Sequence, residues 1–347
     1  VFNSRSRRIF CSIYELVTNP VAVFSPSSLS EWFSLCLIML KTFEMFAGYG
    51  GGSFALNRLG LDYECVGYSE IDTHAIKCYE QNHFGIKNYG DCTKIDAEEL
   101  EDFDLLLGGF PCQPFSQAGK HKGEMDIRGT LFYDIIRLLK AKQPSYFLLE
   151  NVKGLTHSNH VDTFNTILSE LTKSGYKVQY QVLSSRDYGT PQGRKRLYIV
   201  GIRNDLPTTY SFPHPQKLTT FLKDILDTEK EIVSIARRNK NRSKHQQLGL
   251  PYGSFPKEYH YTHNKDLGVS FTVKSALHEC LVGEYDGEDY SNIRKLTPIE
   301  CFKLMGFKDG EIKLDNIAKT HLHTLAGNGW EINTVSKVLE PLLVDYL

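Results

Sequence analysis

From residue 41 onward, short apolar runs alternate with segments in which apolar residues recur every three or four positions. The runs at 42–46, 63–68, 103–107, 146–149, 178–183 and 197–200 predict strands. Those at 103–107 and 146–149 are almost continuously apolar, as strands covered on both faces must be. Helical spacing over 53–59, 72–82, 131–140 and 161–171 predicts the helices between them. Alternation at this rhythm predicts an α/β chain with a doubly wound, mainly parallel sheet.

The rhythm stops after Asn204. Residues 204–293 are rich in Pro, Lys, Asn, His and Tyr and carry no regular period, which predicts a small irregular second domain. Helical order returns at 297–305, with Thr297 as N-cap, Pro298 at the first helical position and Glu300 completing a capping box. A last helix is predicted over 331–343. The expected layout is therefore 39–203 and 294–347 as one domain with 204–293 inserted into it. Residues 1–38 read as a leader or upstream extension, with the functional protein starting at Met39. Their apolar runs are broken well short of the roughly 18 residues that a membrane helix needs. A basic stretch precedes these runs, but the single apolar core of a signal peptide does not follow it.

Composition adds bounds more than identity. With 347 residues, 41% hydrophobic and 23% charged, the chain is an ordinary globular one. A net charge of −1 excludes a uniformly basic nucleic-acid binder and permits a local basic face. The cluster containing Arg237 and Arg238 is one candidate for it, and a solvated surface loop is the competing reading. None of the eight cysteines stands in C-x-x-C spacing, so no metal site is expected. They read as reduced thiols of a cytoplasmic protein.

Candidate chemistry clusters where predicted strands end. The turn Gly48-Tyr49-Gly50-Gly51-Gly52 follows the first strand and opens a helix, a place where backbone N–H groups can approach a cofactor. Glu70 ends the next strand, where an acid can bind ribose hydroxyls. Asp91 holds the corresponding place beyond what reads as a third strand. Helix capping is the simpler reading of both acids. Cys112 follows the apolar run 103–107 and stands between Pro111 and Gln113-Pro114, on a rigid turn that a buried core thiol does not need. Glu150 leaves the next buried strand towards the same edge. Arg194 and Arg196, two positions apart in an extended segment, can face one side and suit a phosphate or a base carbonyl.

In order, F-x-G-x-G-G (46–51), FPCQPFS (110–116), ENV (150–152), Q-x-R-x-R (192–196), RKLTPIECFKLMGF (294–307) and a terminal Gly-Asn (327–328) resemble the cytosine-5 DNA methyltransferases, in the compact bacterial restriction-modification form. The resemblance spans about Thr42 to Leu343. It implies a Rossmann-like S-adenosylmethionine-dependent methyltransferase fold with a target-recognition domain at 204–293. It implies S-adenosylmethionine as cofactor, held by Phe46, Gly48, Gly50, Glu70, Ile71, Asp91, Cys92, Phe110 and Asn328. Cys112 would be the nucleophile and Glu150 its partner at the base, with Arg194 and Arg196 positioning the pyrimidine. Pro111, Gln113, Ser116, Asn151, Thr272, Arg237 and Arg238 would contact double-stranded DNA. No metal or membrane partner and a monomeric state are expected. The chain departs from the family pattern at Gly329, where the family usually has serine after the asparagine.

Three other readings stay open on the sequence. One branch of the family methylates transfer RNA, although it departs from FPCQPFS at the cysteine. A catalytically dead DNA-binding relative would not need Cys112, Glu150 and Arg194 together. A nicotinamide oxidoreductase would want G-x-G-x-x-G, and Ser53 stands at its last place.

Overall fold

The computed structural model describes residues 39–111, 131–207, 209–227, 259–262, 270, 272–273, 281–285 and 290–347. Cys112, Gln113, Ser116, Arg237, Arg238 and the segment 1–38 lie outside the described residues. In chain order the main elements are β1 (Leu40–Met45), α1 (Gly51–Leu59), β2 (Tyr63–Ser69), α2 (Thr73–Asn82) and β3 (Leu105–Gly109). Then follow α3 (Leu131–Lys142), β4 (Tyr146–Val152), α4 (Val161–Lys173), β5 (Tyr176–Ser184) and β6 (Lys195–Arg203). The short helix α5 (Leu222–Ile225) precedes strands β7 (Tyr259–Thr262), β8 (Leu281–Tyr285) and β9 (Tyr290–Lys295). Helices α6 (Pro298–Lys303), α7 (Lys319–Asn328) and α8 (Ile332–Leu339) complete the chain.

Six strands form one sheet in the order β2-β1-β3-β4-β6-β5. Strands β2, β1, β3 and β4 pair in parallel, whereas β6 runs antiparallel to both β4 and β5. Strand order reverses at β1, which has β2 on one side and β3 on the other. Open α/β sheets bind ligands at such a switch point, outside the carboxyl ends of the strands. Alternate residues of the central strands enter two separate cores. Leu105, Leu107, Leu148, Tyr198 and Val200 join one with α1 and α8, and Leu106, Phe147, Leu149, Leu197 and Ile199 join the other with α3 and α4. Burial on both faces is what the unbroken apolar runs require, and it makes the sheet doubly wound.

The structure differs from the sequence reading in four places. The segment before Asp91 is not a strand; it makes one isolated bridge, Tyr68 to Asn88. Tyr89-Gly90 turns away too soon to extend the sheet, because Gly90 takes a φ of 67°. The region 204–293 carries a three-stranded sheet, β7-β8-β9, running to Lys295. Residues 209–227, grouped with that region by composition, pack instead on the large core: Tyr210, Leu222 and Ile225 are buried there, and the Tyr210 hydroxyl donates to the Val338 carbonyl at 3.3 Å. Helix α7 had no sequence signal, because Lys-Thr-His-Leu-His-Thr-Leu has too few apolar positions to mark a stripe. The capping box at α6 stands as read. Thr297 Oγ1 accepts from the Glu300 N–H at 3.2 Å, and Glu300 Oε2 accepts from the Thr297 N–H at 2.7 Å.

Candidate active site

The first half of the site is built at the carboxyl end of β1. The chain leaves the strand through Phe46 (φ 55°), Gly48 (φ 58°) and Gly50 (φ 85°), all in the left-handed region. For a phenylalanine that conformation is costly and marks a turn held by its surroundings. Gly50 then serves as N-cap of α1, so the helix starts inside the turn. Glu70 binds this turn directly: its Oε2 accepts from the Gly48 N–H at 2.9 Å. Its Oε1 accepts from the N–H groups of Ile71 and Asp72 at 2.8 and 2.9 Å. Beside it Ile71 leaves 72% of its surface exposed, an apolar side chain with one face unfilled. Asp91 caps a short 3-10 turn (Cys92–Lys94), accepting from the Thr93 hydroxyl at 2.8 Å and the Thr93 N–H at 3.1 Å. Those donors hold its carboxyl below the usual range. Cys92 is buried, and burial pushes its thiol up to about 12.

The second half lies at the ends of β3 and β4. Phe110 is buried on Phe132, and its carbonyl accepts from Asn151 Nδ2 at 3.0 Å. Pro111, next in the chain, is exposed. Because β6 runs antiparallel to β4, its first residues arrive at the same edge as the last residues of β4. Arg196 pairs opposite Val152 and Tyr198 opposite Glu150. Glu150 and Arg196 are therefore diagonal neighbours on one face. Their side chains meet at 3.0 Å, Arg196 Nε to Glu150 Oε1. Glu150 is only 9% exposed. Desolvation raises its pKa, against the opposing pull of Arg196 and Arg194.

Though both act on Glu150, Arg194 has different hydrogen-bond partners from Arg196. It is fully buried and donates to the carbonyls of Gly327 at 3.1 Å and Gly329 at 2.7 Å. A third contact, to the Val273 carbonyl, is 3.4 Å. The two arginines that the sequence groups together thus lie near Glu150 and divide the bonding, Arg196 to its carboxylate and Arg194 to the backbone at 327 and 329. Thr272 lies beside Gly193, its hydroxyl 3.5 Å from that carbonyl. Asn328 ends α7 and is exposed.

Four residues of this neighbourhood carry no assigned role in the sequence reading. Gln192 is buried between Val273 and Leu304: its Oε1 accepts from the Val273 N–H at 3.1 Å while its amide donates to the Leu304 carbonyl. Glu44, an acid inside the apolar strand β1, accepts from the N–H and hydroxyl of Ser53 and so fastens α1 beneath the glycine turn. A charge in an otherwise apolar run was the available signal. Tyr49 donates to the Trp330 carbonyl. The Trp330 indole lies over the end of β3, so close that a Cβ on Gly109 would stand 2.6 Å from its Nε1 and 3.6 Å from Glu150 Oε2. Trp330 thus lies where the two halves of the site meet.

The comparisons agree with this architecture. Residues 40–342 match the family model of the C-5 cytosine-specific DNA methylases. The type II methyltransferase M.NlaX of Neisseria lactamica is 41% identical over 279 residues, covering 78% of this chain and 86% of its own length. M.HhaI of Haemophilus parahaemolyticus, also a type II methyltransferase, is 36% identical over 283 residues, 78% of this chain and 84% of that one. Among solved structures, a DNMT2 variant from Spodoptera frugiperda superposes with a TM-score of 0.71 at 21% identity, over 88% of this chain and 99% of that one, a likeness of fold. On the matched span, the motif order and the two strand-end clusters, the chain belongs to the C-5 cytosine-specific DNA methylase family and is a DNA cytosine-5 methyltransferase.

Proposed function

We propose that this chain transfers a methyl group from S-adenosylmethionine to carbon 5 of a cytosine flipped out of a specific double-stranded DNA site. The observation that carries the reading is the buried Glu150 carboxyl, held by Arg196 at the edge where β3 runs out towards Cys112. Its elevated pKa suits a group that must donate a proton or hydrogen bond to a base nitrogen at neutral pH.

The residues at the glycine turn fit the cofactor. The tight glycine turn lets backbone approach a ligand closely, Glu70 suits ribose hydroxyls, and the uncovered face of Ile71 suits a flat adenine ring. When bound, S-adenosylmethionine supplies a methyl group activated on a sulfonium. The chain's own residues do the rest. The Cys112 thiolate adds to carbon 6 of cytosine, forming the Sγ–C6 bond, and the displaced electron density makes carbon 5 nucleophilic. Glu150 donates to ring nitrogen 3 and accepts from the exocyclic amino group, which stabilises the charge of the adduct. After methylation, loss of the carbon-5 proton breaks the Sγ–C6 bond and frees the thiolate. Extruding the base costs roughly a few kcal/mol of stacking, offset by contacts from the recognition region. Residues 228–293 are assigned to that region and 39–227 with 294–347 to catalysis. The biological role in this reading is protection of DNA from a cognate restriction nuclease, which the type II relatives support.

The full chain incubated with tritiated S-adenosylmethionine should label duplex DNA and leave transfer RNA unlabelled. Bisulfite sequencing of DNA from an expressing host would then locate the target. Cys112→Ser should abolish labelling and leave cofactor binding intact. Label confined to RNA overturns the DNA assignment, and near-normal turnover of the serine variant removes the thiol from the mechanism.

A further inference from the structure

Gly329 stands against a residue 280 positions away, in the other half of the site. Gly329 has φ −77° and ψ 177°, a backbone any residue can adopt, so conformation does not demand glycine there. Space does. A Cβ on residue 329 would stand under 3.0 Å from Cε1, Cζ and the hydroxyl oxygen of Tyr49, closer than real Cβ atoms come. Tyr49 cannot step aside easily. It is 1% exposed, and its ring packs edge-on against Phe302 and Phe307 at centroid distances of 5.5 and 5.4 Å. Its hydroxyl donates to the Trp330 carbonyl. The same peptide segment is also held by Arg194, just before β6, through the carbonyls of Gly327 and Gly329.

The held segment touches both halves of the site. The Trp330 side chain passes so near the start of α1 that a Cβ on Gly51 would stand 2.8 Å from Trp330 Cβ, and its indole covers Gly109 next to Glu150. We propose that Tyr49 and Gly329 are a matched pair, with Tyr49 a positioning residue that sets Asn328 and Trp330 against the cofactor cleft. The tyrosine takes the volume that a serine side chain would need, and its hydroxyl replaces an anchoring contact that such a serine could make. This rests on the reading of the glycine turn as the S-adenosylmethionine site.

The test is a double-mutant cycle on the full chain: wild type, Gly329→Ser, Tyr49→Leu and the double variant. Equilibrium binding of S-adenosylmethionine is read beside KM and kcat, with thermal melting as a control on folding. Gly329→Ser should weaken cofactor binding about tenfold or more, since overpacking a held ring costs on that order. Tyr49→Leu should weaken it too, having lost the anchor. The double variant should bind more tightly than either single one, because leucine leaves room for the serine. Tyr49→Phe, which keeps the ring and removes the hydroxyl, should raise KM for the cofactor with little change in melting temperature. A defect of folding alone would lower the active fraction, and hence kcat, at unchanged KM. If wild type binds no S-adenosylmethionine, the site reading falls and this inference with it. If wild type binds and the two substitutions merely add, the matched pair alone is overturned.

Discussion

Glu44 offers a quantitative check on how the glycine turn is supported. Its carboxyl is 2% exposed on β1 and accepts from the Ser53 N–H at 2.9 Å and from the Ser53 hydroxyl. Burial pushes its pKa from 4.5 up to about 7, with the Ser53 donors pulling the other way. A folded pKa above the unfolded one means that the native state binds the proton more tightly. The associated stability is then fully present below pH 4.5 and is lost as pH rises through about 7. The rise from 4.5 to about 7, at about 1.4 kcal/mol per pH unit, is worth about 3 kcal/mol. Glu44→Gln keeps an acceptor for Ser53 and cannot ionise. Urea unfolding of wild type and variant at about pH 5 and pH 8 measures the difference. Near pH 5 the two should be similar in stability; by pH 8 the variant should have gained about 3 kcal/mol on wild type. Equal differences at both pH values would refute the claim that Glu44 is buried with a raised pKa, and with it the account of the turn's anchor.

Two further substitutions probe the base side and the sheet. Arg196→Met removes the cation that opposes the desolvation of Glu150. Glu150 should then stay protonated to higher pH, moving the alkaline limb of the pH–rate profile upward, while kcat falls by about 100-fold or more as a charge contact is lost. An unmoved limb would disconnect Glu150 from turnover. Gly201→Ala on β6 would set a Cβ under 3.0 Å from the fully buried Phe147 ring, where the two strands are paired. That overpacking should cost about 1–3 kcal/mol in urea unfolding, and an unchanged midpoint would mean that the ring is free to move.

Much of the scaffold was legible because it depends on short-range rules. Leu105 to Leu107 and Tyr146 to Leu149 announced buried strands by lacking polar positions, and Thr297 with Glu300 announced a helix start by their spacing. The reversal of β6 also had a signal: the connection 185–194 is too short for the dozen or more residues of a parallel crossover. Its insertion between β4 and β5 had none. Asp91 was misplaced because a Tyr-Gly-Asp after a polar segment looks alike at the end of a strand and in a turn.

The sequence by itself determined the sheet class, the glycine turn, the positions of Glu70 and Glu150 at strand ends, and the family pattern that ties them to Cys112. Only the tertiary structure decided that Arg196 faces Glu150 while Arg194 grips Gly327 and Gly329, and that Tyr49 fills the space beside Gly329. Local patterns set which way a backbone runs and which face is buried, since those depend on neighbours a few positions apart. The partner of a buried side chain depends on strand order, strand direction and leftover volume, and those are properties of the assembled core.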